Sequence, residues 1–420
     1  MVAGTEPREA ALGILRAVRA DQTFDRALDA TVPGLSDRDR KLAHEIASGV
    51  LRQRTVLDRR ITAILSRPNK RLSEDLRDVL RIGVYQLLYL DRVPSYAVVQ
   101  STVELAKAVC GKQCGSLVNA VLRKTSTAGP VDFGPKTKDP EALATRYSHP
   151  EWLVARWLPR FGADRTEQLL RHNNRRPPLV IQPAAWTADR LRAAWQEAEI
   201  AYRTMGPDLG FAVEAARVAD LPGYREGGFI VQDATQRKIL EYVGASAGDA
   251  VWDACAAPGG KTAILARTCT VLASDVSRSR MGRLCENLRR VGSSAVVAVA
   301  DARFPPVRPE ELDVVMIDAP CSATGTMARH PDARWRLSPD RIRELAGLQR
   351  EILHGAAPAV RPGGLLAYLT CSLEPEENER QVEDFLSAHI DFHRERDDMF
   401  VLPAGEGSDG GFGARLRRAA

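Results

Sequence analysis

Apolar residues in the first third of the chain recur at the spacing of an amphipathic helix. The pattern is clear over residues 12–18 and 76–87, where every third or fourth position is apolar. Ser36 and Ser73 are each followed by acidic residues, which is typical of an N-cap with an acidic first turn. Because no strand-like alternation interrupts residues 8–125, the pattern predicts an all-α bundle.

The last part of the chain has a different pattern, in which short apolar runs alternate with helical segments. The predicted strands are residues 250–253, 270–273, 295–300, 312–317 and 365–369. Repeated strand–helix units are typical of a parallel, doubly wound, Rossmann-like α/β sheet.

A stretch rich in proline and glycine, residues 128–140, separates these two regions. It is followed by a mixed segment with a predicted strand at 179–181 and a predicted helix at 188–198. We therefore predict three parts. They are a helical domain over 1–135, a linker with a small mixed α/β segment over 136–230, and an α/β domain over 231–420.

Composition excludes several classes of protein. A chain of 420 residues with 44% hydrophobic content is expected to form two or three domains with real cores. No run of about 18 apolar residues predicts a membrane span, and the first residues do not resemble a secretory signal. Seven cysteines without such a signal indicate reduced thiols and a cytoplasmic protein.

Charge is unevenly distributed along the chain. Residues 1–135 hold 21 Lys and Arg against 15 Asp and Glu, a net charge of +6, and the remainder holds 38 against 39, a net charge of −1. A basic front end is compatible with a nucleic-acid partner or with an ordinary solvated helical surface, and charge alone does not separate the two.

A glycine-rich loop, residues 253–262 (DACAAPGGKT), follows the first strand of the predicted sheet. A Walker A loop would need a glycine where Cys255 stands, and no G-x-G-x-x-G fingerprint is present. The loop instead suits an adenosyl cofactor that has no pyrophosphate. The loop residues assigned to this cofactor are Cys255, Ala256, Ala257, Pro258, Gly259, Gly260 and Lys261.

Acidic residues stand at the ends of successive predicted strands. Asp275 follows Asp253 by 22 residues and is expected to bind ribose hydroxyls, and Asp301 is expected to accept a hydrogen bond from an adenine amino group. Asp253, Asp275 and Asp301 are expected at the same edge of the sheet, and three acids in this arrangement favour a cofactor site.

Two cysteines, Cys321 and Cys371, each follow a predicted strand, and Asp318 accompanies the first of them. Ligands of open parallel sheets bind at this edge, so these residues predict nucleophilic catalysis on a ring. Lys261 and the arginine-rich stretch 329–336 are expected to favour the thiolate, and that stretch is also a plausible RNA contact. No set of metal ligands is predicted.

Assembled in this order, the motifs resemble the RsmB (Fmu/Sun) type of bacterial RNA cytosine-5 methyltransferase, within the RsmB/NOP family. The segments that carry the resemblance are 231–233 (VQD), 253–262, 318–325 (DAPCSATG), 329–332 (RHPD) with Trp335, and 370–378 (TCSLEPEEN). Upstream, residues 8–124 resemble the NusB-like helical RNA-binding domain of such enzymes.

The resemblance implies a reaction and a role for each residue. S-adenosylmethionine would donate the methyl group, and the substrate would be cytosine 967 of small-subunit (16S) ribosomal RNA. Cys371 would attack carbon 6, Asp318 would hold ring nitrogen 3 beside the cofactor, and Cys321 would assist loss of the carbon-5 proton and release. The implied enzyme works as a monomer without metal.

Three departures from the family pattern carry expectations of their own. Residues 182–184 read Gln-Pro-Ala where Arg-x-Asn is usual, which weakens the expected RNA contact of the middle segment. Glycines in 410–415 replace an aromatic-rich strand and predict looser packing of the last strand. Ala328 stands where a second basic residue is common, which removes one expected phosphate contact.

Two other functions are compatible with the same chain. One is cytosine-5 methylation of transfer RNA, which the NusB-like front end disfavours. The other is an RNA-binding assembly factor without catalysis, which the intact Cys321, Cys371 and Asp318 disfavour.

Overall fold

The structure is a computed structural model that describes residues 6–65, 72–134, 138–214, 217–403 and 408–420. The chain forms two compact units. The helical unit comprises Met1–Arg175 with Met327–Arg336, and the sheet unit comprises Arg176–Thr326 with Leu337–Ala420. No helix among the described residues is long and apolar enough to cross a membrane.

Helices build the first unit, as the hydrophobic spacing predicts. They are α1 (Glu6–Arg19), α2 (Phe24–Thr31), α3 (Asp37–Ile64), α4 (Glu74–Tyr89), α5 (Ser95–Cys110), α6 (Cys114–Thr127), α7 (Pro140–Tyr147), α8 (Glu151–Phe161) and α9 (Ala163–Asn173). The apolar faces of α1 and α3 to α6 share one core, in which Leu12, Ile46 and Leu80 are buried. Because burial of such faces supplies most helical stability, the helices hold together as a bundle.

The predicted N-caps are confirmed. Ser36 accepts a hydrogen bond from the Asp39 amide at the start of α3, and Ser73 accepts one from the Leu76 amide at the start of α4. Each hydroxyl satisfies one of the amides that a helix start leaves without an intrahelical partner.

The boundary of the helical unit differs from the predicted one. The predicted middle segment, 136–230, is divided: its helices α7 to α9 belong to the helical unit, and its strands belong to the sheet unit. Three residues of the predicted linker, 135–137, lie outside the described residues.

The sheet unit begins with a small antiparallel sheet. Its elements are β1 (Leu179–Pro183), α10 (Ala188–Glu197), β2 (Tyr202–Thr204), β3 (Phe211–Val213) and β4 (Phe229–Val231), with strand order β2-β3-β1-β4. Gln182 is buried in this sheet and donates a hydrogen bond to the Leu209 carbonyl oxygen at 2.9 Å. Gln182, at the position where the sequence predicts a weakened RNA contact, therefore has a structural role within the sheet.

A larger sheet follows. Its elements are α11 (Ala234–Val243), β5 (Ala250–Asp253), α12 (Gly260–Leu265), β6 (Thr270–Asp275), α13 (Arg278–Val291), β7 (Val296–Val299) and β8 (Leu312–Asp318). After the short helix α14 (Ala333–Arg336) they continue with α15 (Pro339–Ala356), β9 (Val360–Thr370), α16 (Glu379–Ala388), β10 (Phe392–Arg394), β11 (Met399–Val401) and β12 (Gly411–Arg418). The strand order is β10-β12-β9-β8-β5-β6-β7, with β11 paired to β12. Strands β5 to β9 pair in parallel, which confirms the predicted doubly wound sheet.

Strand register brings the predicted site residues to one edge of this sheet. Asp253 pairs with Met316 two residues before β8 ends, and Asp318 pairs with Leu369 just before β9 ends. Since the strands are parallel, the carboxyl ends of β5, β6, β8 and β9 lie side by side, where ligands of such sheets bind.

The last strand contradicts one expectation. β12 is buried over most of its length and pairs antiparallel with β9, β10 and β11. Its glycines make this packing close, because a Cβ at Gly411 would lie 2.7 Å from a methyl carbon of Ile239. The glycine-rich sequence therefore reflects tight packing, and the prediction of a looser strand was wrong.

The segment 327–336, with the short helix α14 (Ala333–Arg336), leaves the sheet unit and packs within the helical unit. Arg334 is fully buried there and donates to the backbone carbonyl oxygens of Ser148 (3.1 Å) and Asn173 (2.8 Å). The Trp335 indole donates to the Leu51 carbonyl oxygen at 2.7 Å. Ala328 is 1% exposed, so a basic side chain at its position would be buried.

Candidate active site

The two cysteines of the predicted site lie next to each other at the ends of β8 and β9. Their Sγ atoms are 3.2 Å apart, both thiols are free, and both residues are partly exposed. The chain turns sharply here, and the Gly325 amide donates to the Cys371 carbonyl oxygen at 2.9 Å. A Cβ at Gly325 would lie 2.8 Å from that oxygen, so only glycine allows this approach.

A buried carboxylate joins the two cysteine loops. Glu377 accepts hydrogen bonds from the Ser322 amide at 2.8 Å and from the hydroxyls of Ser322 and Ser372. It also accepts one from Gln349 Nε2 at 3.0 Å. Each serine directly follows a cysteine, so Glu377 fixes the separation of the two sulfur atoms.

Glu377 is 0% exposed, and burial raises its pKa even though four hydrogen bonds oppose that shift. A fully buried acid is costly unless its oxygens are satisfied. Glu377 lies within the 370–378 motif, which by itself predicts no role for this residue. The feature of the sequence that points to a role is its position six residues after the strand-end cysteine Cys371.

The pairing of the sulfurs affects the ionisation of Cys321. The pKa of the Cys321 thiol is raised, first by its hydrogen bond with Cys371, then by burial and by the charges of Cys371 and Glu377. Two adjacent thiols cannot both ionise easily, because the second charge forms beside the first. Cys321 is therefore the thiol that keeps its proton in this arrangement.

Asp318 and Lys261 form an ion pair at the same edge. Lys261 Nζ lies 2.6 Å from Asp318 Oδ2 and also donates to Gln236 on α11. Lys261 is 8% exposed, so the pair is shielded from solvent on one side. The lysine expected to favour the thiolate is thus directly bound to the carboxylate.

The glycine-rich loop after β5 turns at Gly259, whose φ of +97° lies in the region that favours glycine. A Cβ there would lie 3.1 Å from Leu284 Cγ. Below the loop, Asp253 accepts a hydrogen bond from the Thr262 hydroxyl at 2.7 Å. Its other oxygen is buried and, among the described residues, has no partner. Burial raises the pKa of Asp253 to about 7.

The other two predicted cofactor acids follow β6 and β7. Asp275 is 3% exposed, accepts a hydrogen bond from the Ser277 amide (2.8 Å) and forms an ion pair with Arg280 (2.9 Å). The Arg303 side chain donates three hydrogen bonds to Asp301, at 2.7, 3.1 and 3.1 Å, and this pairing lowers the pKa of Asp301. Arg280 and Arg303 were not singled out in the sequence, and they orient the two carboxylates.

The stretch 329–336 lies in the helical unit. Arg334 is fully buried, and Arg336 is bound to Asp21 and Asp332. The expected role of this stretch in lowering a thiol pKa stays a prediction. Its contacts hold the helical unit together.

Comparison with known proteins agrees with this geometry. A NusB family model matches residues 5–127, and a model described as 16S rRNA methyltransferase RsmB/F matches residues 242–414. The chain is 36% identical to a ribosomal RNA small subunit methyltransferase B of Klebsiella pneumoniae, over 90% of this chain and 88% of the relative. A probable enzyme of the same name from Synechocystis is 33% identical over 98% of this chain and 99% of its own.

The chain belongs to the RsmB/F methyltransferase family. Members of this family use S-adenosylmethionine to methylate RNA, and this chain is such an enzyme. The crystal structure of PH0851 is similar over the whole of both chains, with a TM-score of 0.80 and 26% identity. A methyltransferase homologue from Pyrococcus horikoshii shares the fold, with a TM-score of 0.57 and 21% identity over 67% of this chain and all of its own.

The residues at the sheet edge fit the cofactor of the RsmB/F family. Asp275 is a buried carboxylate at the second strand end, the place where ribose hydroxyls bind in such folds. The side-chain oxygen of Gln232, beside the loop, is buried and has no partner among the described residues. A Cβ at Gly260 would lie 3.3 Å from Gln232 Nε2, so glycine keeps this space open. The site thus offers a buried carboxylate and, among the described residues, an unpartnered amide oxygen to a ligand without phosphates.

Proposed function

We propose that this chain methylates carbon 5 of a cytosine in small-subunit ribosomal RNA, at position 967 of the 16S molecule, through a covalent adduct with Cys371. The observation that carries the proposal is the 3.2 Å separation of Cys321 and Cys371 at the same strand ends as Asp318. The names of its relatives support the ribosomal substrate.

The first step is nucleophilic addition. Cys371 Sγ, as a thiolate, forms a bond to carbon 6 of the ring, and the electron pair of the 5,6 double bond moves toward carbon 5 and the N3–O2 side. Asp318 faces nitrogen 3, and the Lys261 ammonium, 2.6 Å from Asp318, supplies positive charge and a proton at that nitrogen. Carbon 5 becomes the nucleophile.

The methyl donor is held by the loop after β5 and by the acids of successive strand ends. The residues assigned to it are Cys255, Ala256, Ala257, Pro258, Gly259, Gly260, Lys261, Asp275, Asp301 and Asp318. When bound, S-adenosylmethionine supplies an electrophilic methyl group. Asp275 and Asp301 orient it through its sugar and base, and the glycines allow close approach of the backbone.

Release requires loss of the carbon-5 proton and cleavage of the sulfur–carbon bond. Once Cys371 is a thioether, it no longer raises the pKa of Cys321 through hydrogen bonding and charge. Cys321 then gives its proton to solvent and, as a thiolate, takes the carbon-5 proton. The 5,6 double bond re-forms as the sulfur–carbon bond breaks, Cys371 leaves as a thiolate, and nitrogen 3 returns its proton to Lys261. Because the thiols are adjacent, Cys371 is the thiolate during attack and Cys321 is the thiolate during release.

The substrate implies that the enzyme acts in the cytoplasm, where small subunits assemble, and we propose that it acts as a monomer. The target base must leave its stack to reach the cysteines, which favours a loop or single-stranded site.

The decisive experiment maps 5-methylcytosine by bisulfite sequencing in ribosomal and transfer RNA from a strain that lacks this gene. We expect loss of one small-subunit signal and its return with the wild-type gene but not with Cys371→Ala. Unchanged ribosomal RNA with a lost transfer-RNA signal would identify the other substrate. Unchanged RNA, together with no binding of S-adenosylmethionine by calorimetry, would identify a non-catalytic factor.

A further inference from the structure

The helical unit contains a cavity of about 330 Å³ that plays no part in the proposed chemistry. It opens among α1, α3, α4 and the segment 327–336, all within the helical unit. Its walls combine aliphatic side chains, such as Leu51, with the Trp335 indole and four arginines. This volume lies within the range of small-ligand sites.

The lining combines both signs of charge. It contains Arg19, Arg54, Arg81 and Arg336 together with Asp21 and Asp78. Whether it can attract an anion therefore depends on which arginine has no carboxylate partner.

Three of the four arginines already have carboxylate partners. Arg81 is paired with Asp58 at 2.6 Å and with Asp78 at 2.7 Å. Arg19 is paired with Asp75 and Asp78, and Arg336 with Asp21 and Asp332.

Arg54 differs from the other three. In the part of the chain that the structure describes, its guanidinium forms no ion pair, and its contact is the face of the Trp335 ring, 5.0 Å from the centroid. Burial lowers the pKa of Arg54, and the positive charge of Arg81 lowers it further. A partly desolvated cation without an anion is unfavourable, and an anionic ligand in the cavity would relieve both effects.

Trp335 provides the second half of a recognition site. Its indole N–H donates to the Leu51 carbonyl oxygen at 2.7 Å, which fixes the plane of the ring at the cavity wall. A planar aromatic beside guanidinium groups is the combination with which proteins bind unstacked nucleotides, the ring for the base and the cation for the phosphate.

We propose that this cavity binds one nucleotide of single-stranded RNA, with its phosphate at Arg54 and its base against Trp335. The inference rests on the proposed RNA substrate. It adds to the catalytic site a second RNA contact, which lies in the helical unit. A free mononucleotide carries the same phosphate and base, so the experiment must distinguish binding of an RNA strand from binding of a free mononucleotide.

The test measures anisotropy of a short, labelled single-stranded RNA on the full chain without methyl donor, so that binding is scored independently of methylation. We expect Arg54→Gln to weaken binding at least tenfold and to reduce the slope of log K against log salt by about 0.7, the value for one lost phosphate contact on a single strand. Arg54→Lys should retain most of the affinity. Arg123→Gln, which removes the same charge from an exposed position of the helical unit, should change affinity less than twofold.

A second measurement uses the wild-type chain and does not depend on the folding of a variant. An arginine-selective reagent modifies the protein with and without RNA, and mass spectrometry follows Arg54. RNA should protect Arg54 more than uridine 5′-monophosphate or polyglutamate at equal charge. Equal effects of Arg54→Gln and Arg123→Gln, or labelling of Arg54 that RNA leaves unchanged, would overturn the proposal. Protection by the mononucleotide or by polyglutamate alone would replace RNA with a small or a peptide ligand.

Discussion

The Sγ atoms of Cys321 and Cys371 lie 3.2 Å apart, at the ends of adjacent parallel strands. At this separation one ring can meet both sulfurs, which a mechanism of attack by one and release by the other requires. The pKa of Cys321 is raised chiefly by its hydrogen bond with Cys371, so the two thiols are chemically distinct.

The first prediction separates the roles of the two cysteines. Cys321→Ala should accumulate a protein–RNA adduct that survives denaturation, because attack continues and release is impaired. Cys371→Ala should form no adduct, because the attacking sulfur is gone. A denaturing gel with labelled RNA and methyl donor measures both, and exchanged outcomes would reverse the assignment.

The second prediction concerns the carboxylate that joins the cysteine loops. Glu377→Gln replaces an acceptor by a donor where a serine hydroxyl and an amide both donate, so the loops should separate. We expect methyl transfer to fall at least tenfold while the affinity for S-adenosylmethionine stays within twofold. Glu376→Gln, one residue away and partly exposed, is the matched control. An equal loss in both variants would deny Glu377 its positioning role.

The third prediction tests the cofactor acid at the end of β6. Asp275→Ala should weaken S-adenosylmethionine binding by roughly 1–3 kcal/mol, the scale of a lost charged hydrogen bond, as measured by calorimetry. Asp384→Ala, on the exposed surface of α16, should leave the affinity unchanged. Thermal melting of both variants shows whether the loss is local, and unchanged affinity of Asp275→Ala would remove this residue from the site.

The fourth prediction is a dependence of stability on pH. The pKa of Asp253 rises from 3.8 to about 7 because burial penalises its charged form. Between these two values the folded chain binds a proton that the unfolded chain has released, so the free energy of unfolding falls as pH rises. Three pKa units correspond to an upper limit of roughly 4 kcal/mol.

Asp253→Asn has no ionisable group at this position. Its thermal midpoint should therefore exceed that of the wild type by an amount that grows from pH 4 to pH 7. Asp384→Asn serves as the exposed control and should show no such growth. Parallel curves for Asp253→Asn and wild type would mean that Asp253 is charged in the folded chain at low pH.

The fifth prediction concerns the segment that returns to the helical unit. Burial lowers the pKa of Arg334 to about 9, and this cost is offset by hydrogen bonds to Ser148, Asn173 and Asn174. Arg334→Met removes the donor from three acceptors, two of them buried, and we expect a loss of about 3 kcal/mol or more in a denaturant melt. Arg38→Met, at an exposed position of α3, should change stability by less than about 0.5 kcal/mol. Equal melts for both variants would show that Arg334 contributes no net stability.

Local pattern was sufficient for most elements. Helical spacing and serine caps predicted α3 and α4, and strand runs ending at Asp253, Ile317 and Leu369 predicted the sheet edge. These features depend on neighbours in sequence, so a single chain displays them. The three-residue strands β2, β3, β4, β10 and β11 were not predicted individually, because three residues carry too little periodicity and their pairing is set by distant partners.

The sequence by itself determined the chemistry: two strand-end thiols, a carboxylate and a glycine loop, at spacings that predict one site. Tertiary structure alone decided which groups meet. It paired Lys261 with Asp318, placed Glu377 between the cysteine loops, and moved residues 327–336 into the helical unit. Such contacts depend on burial and on packing between residues that are distant in sequence. These determine whether an arginine is exposed to solvent or donates to a buried carbonyl oxygen, as Arg334 does. A local pattern of residues does not contain that information.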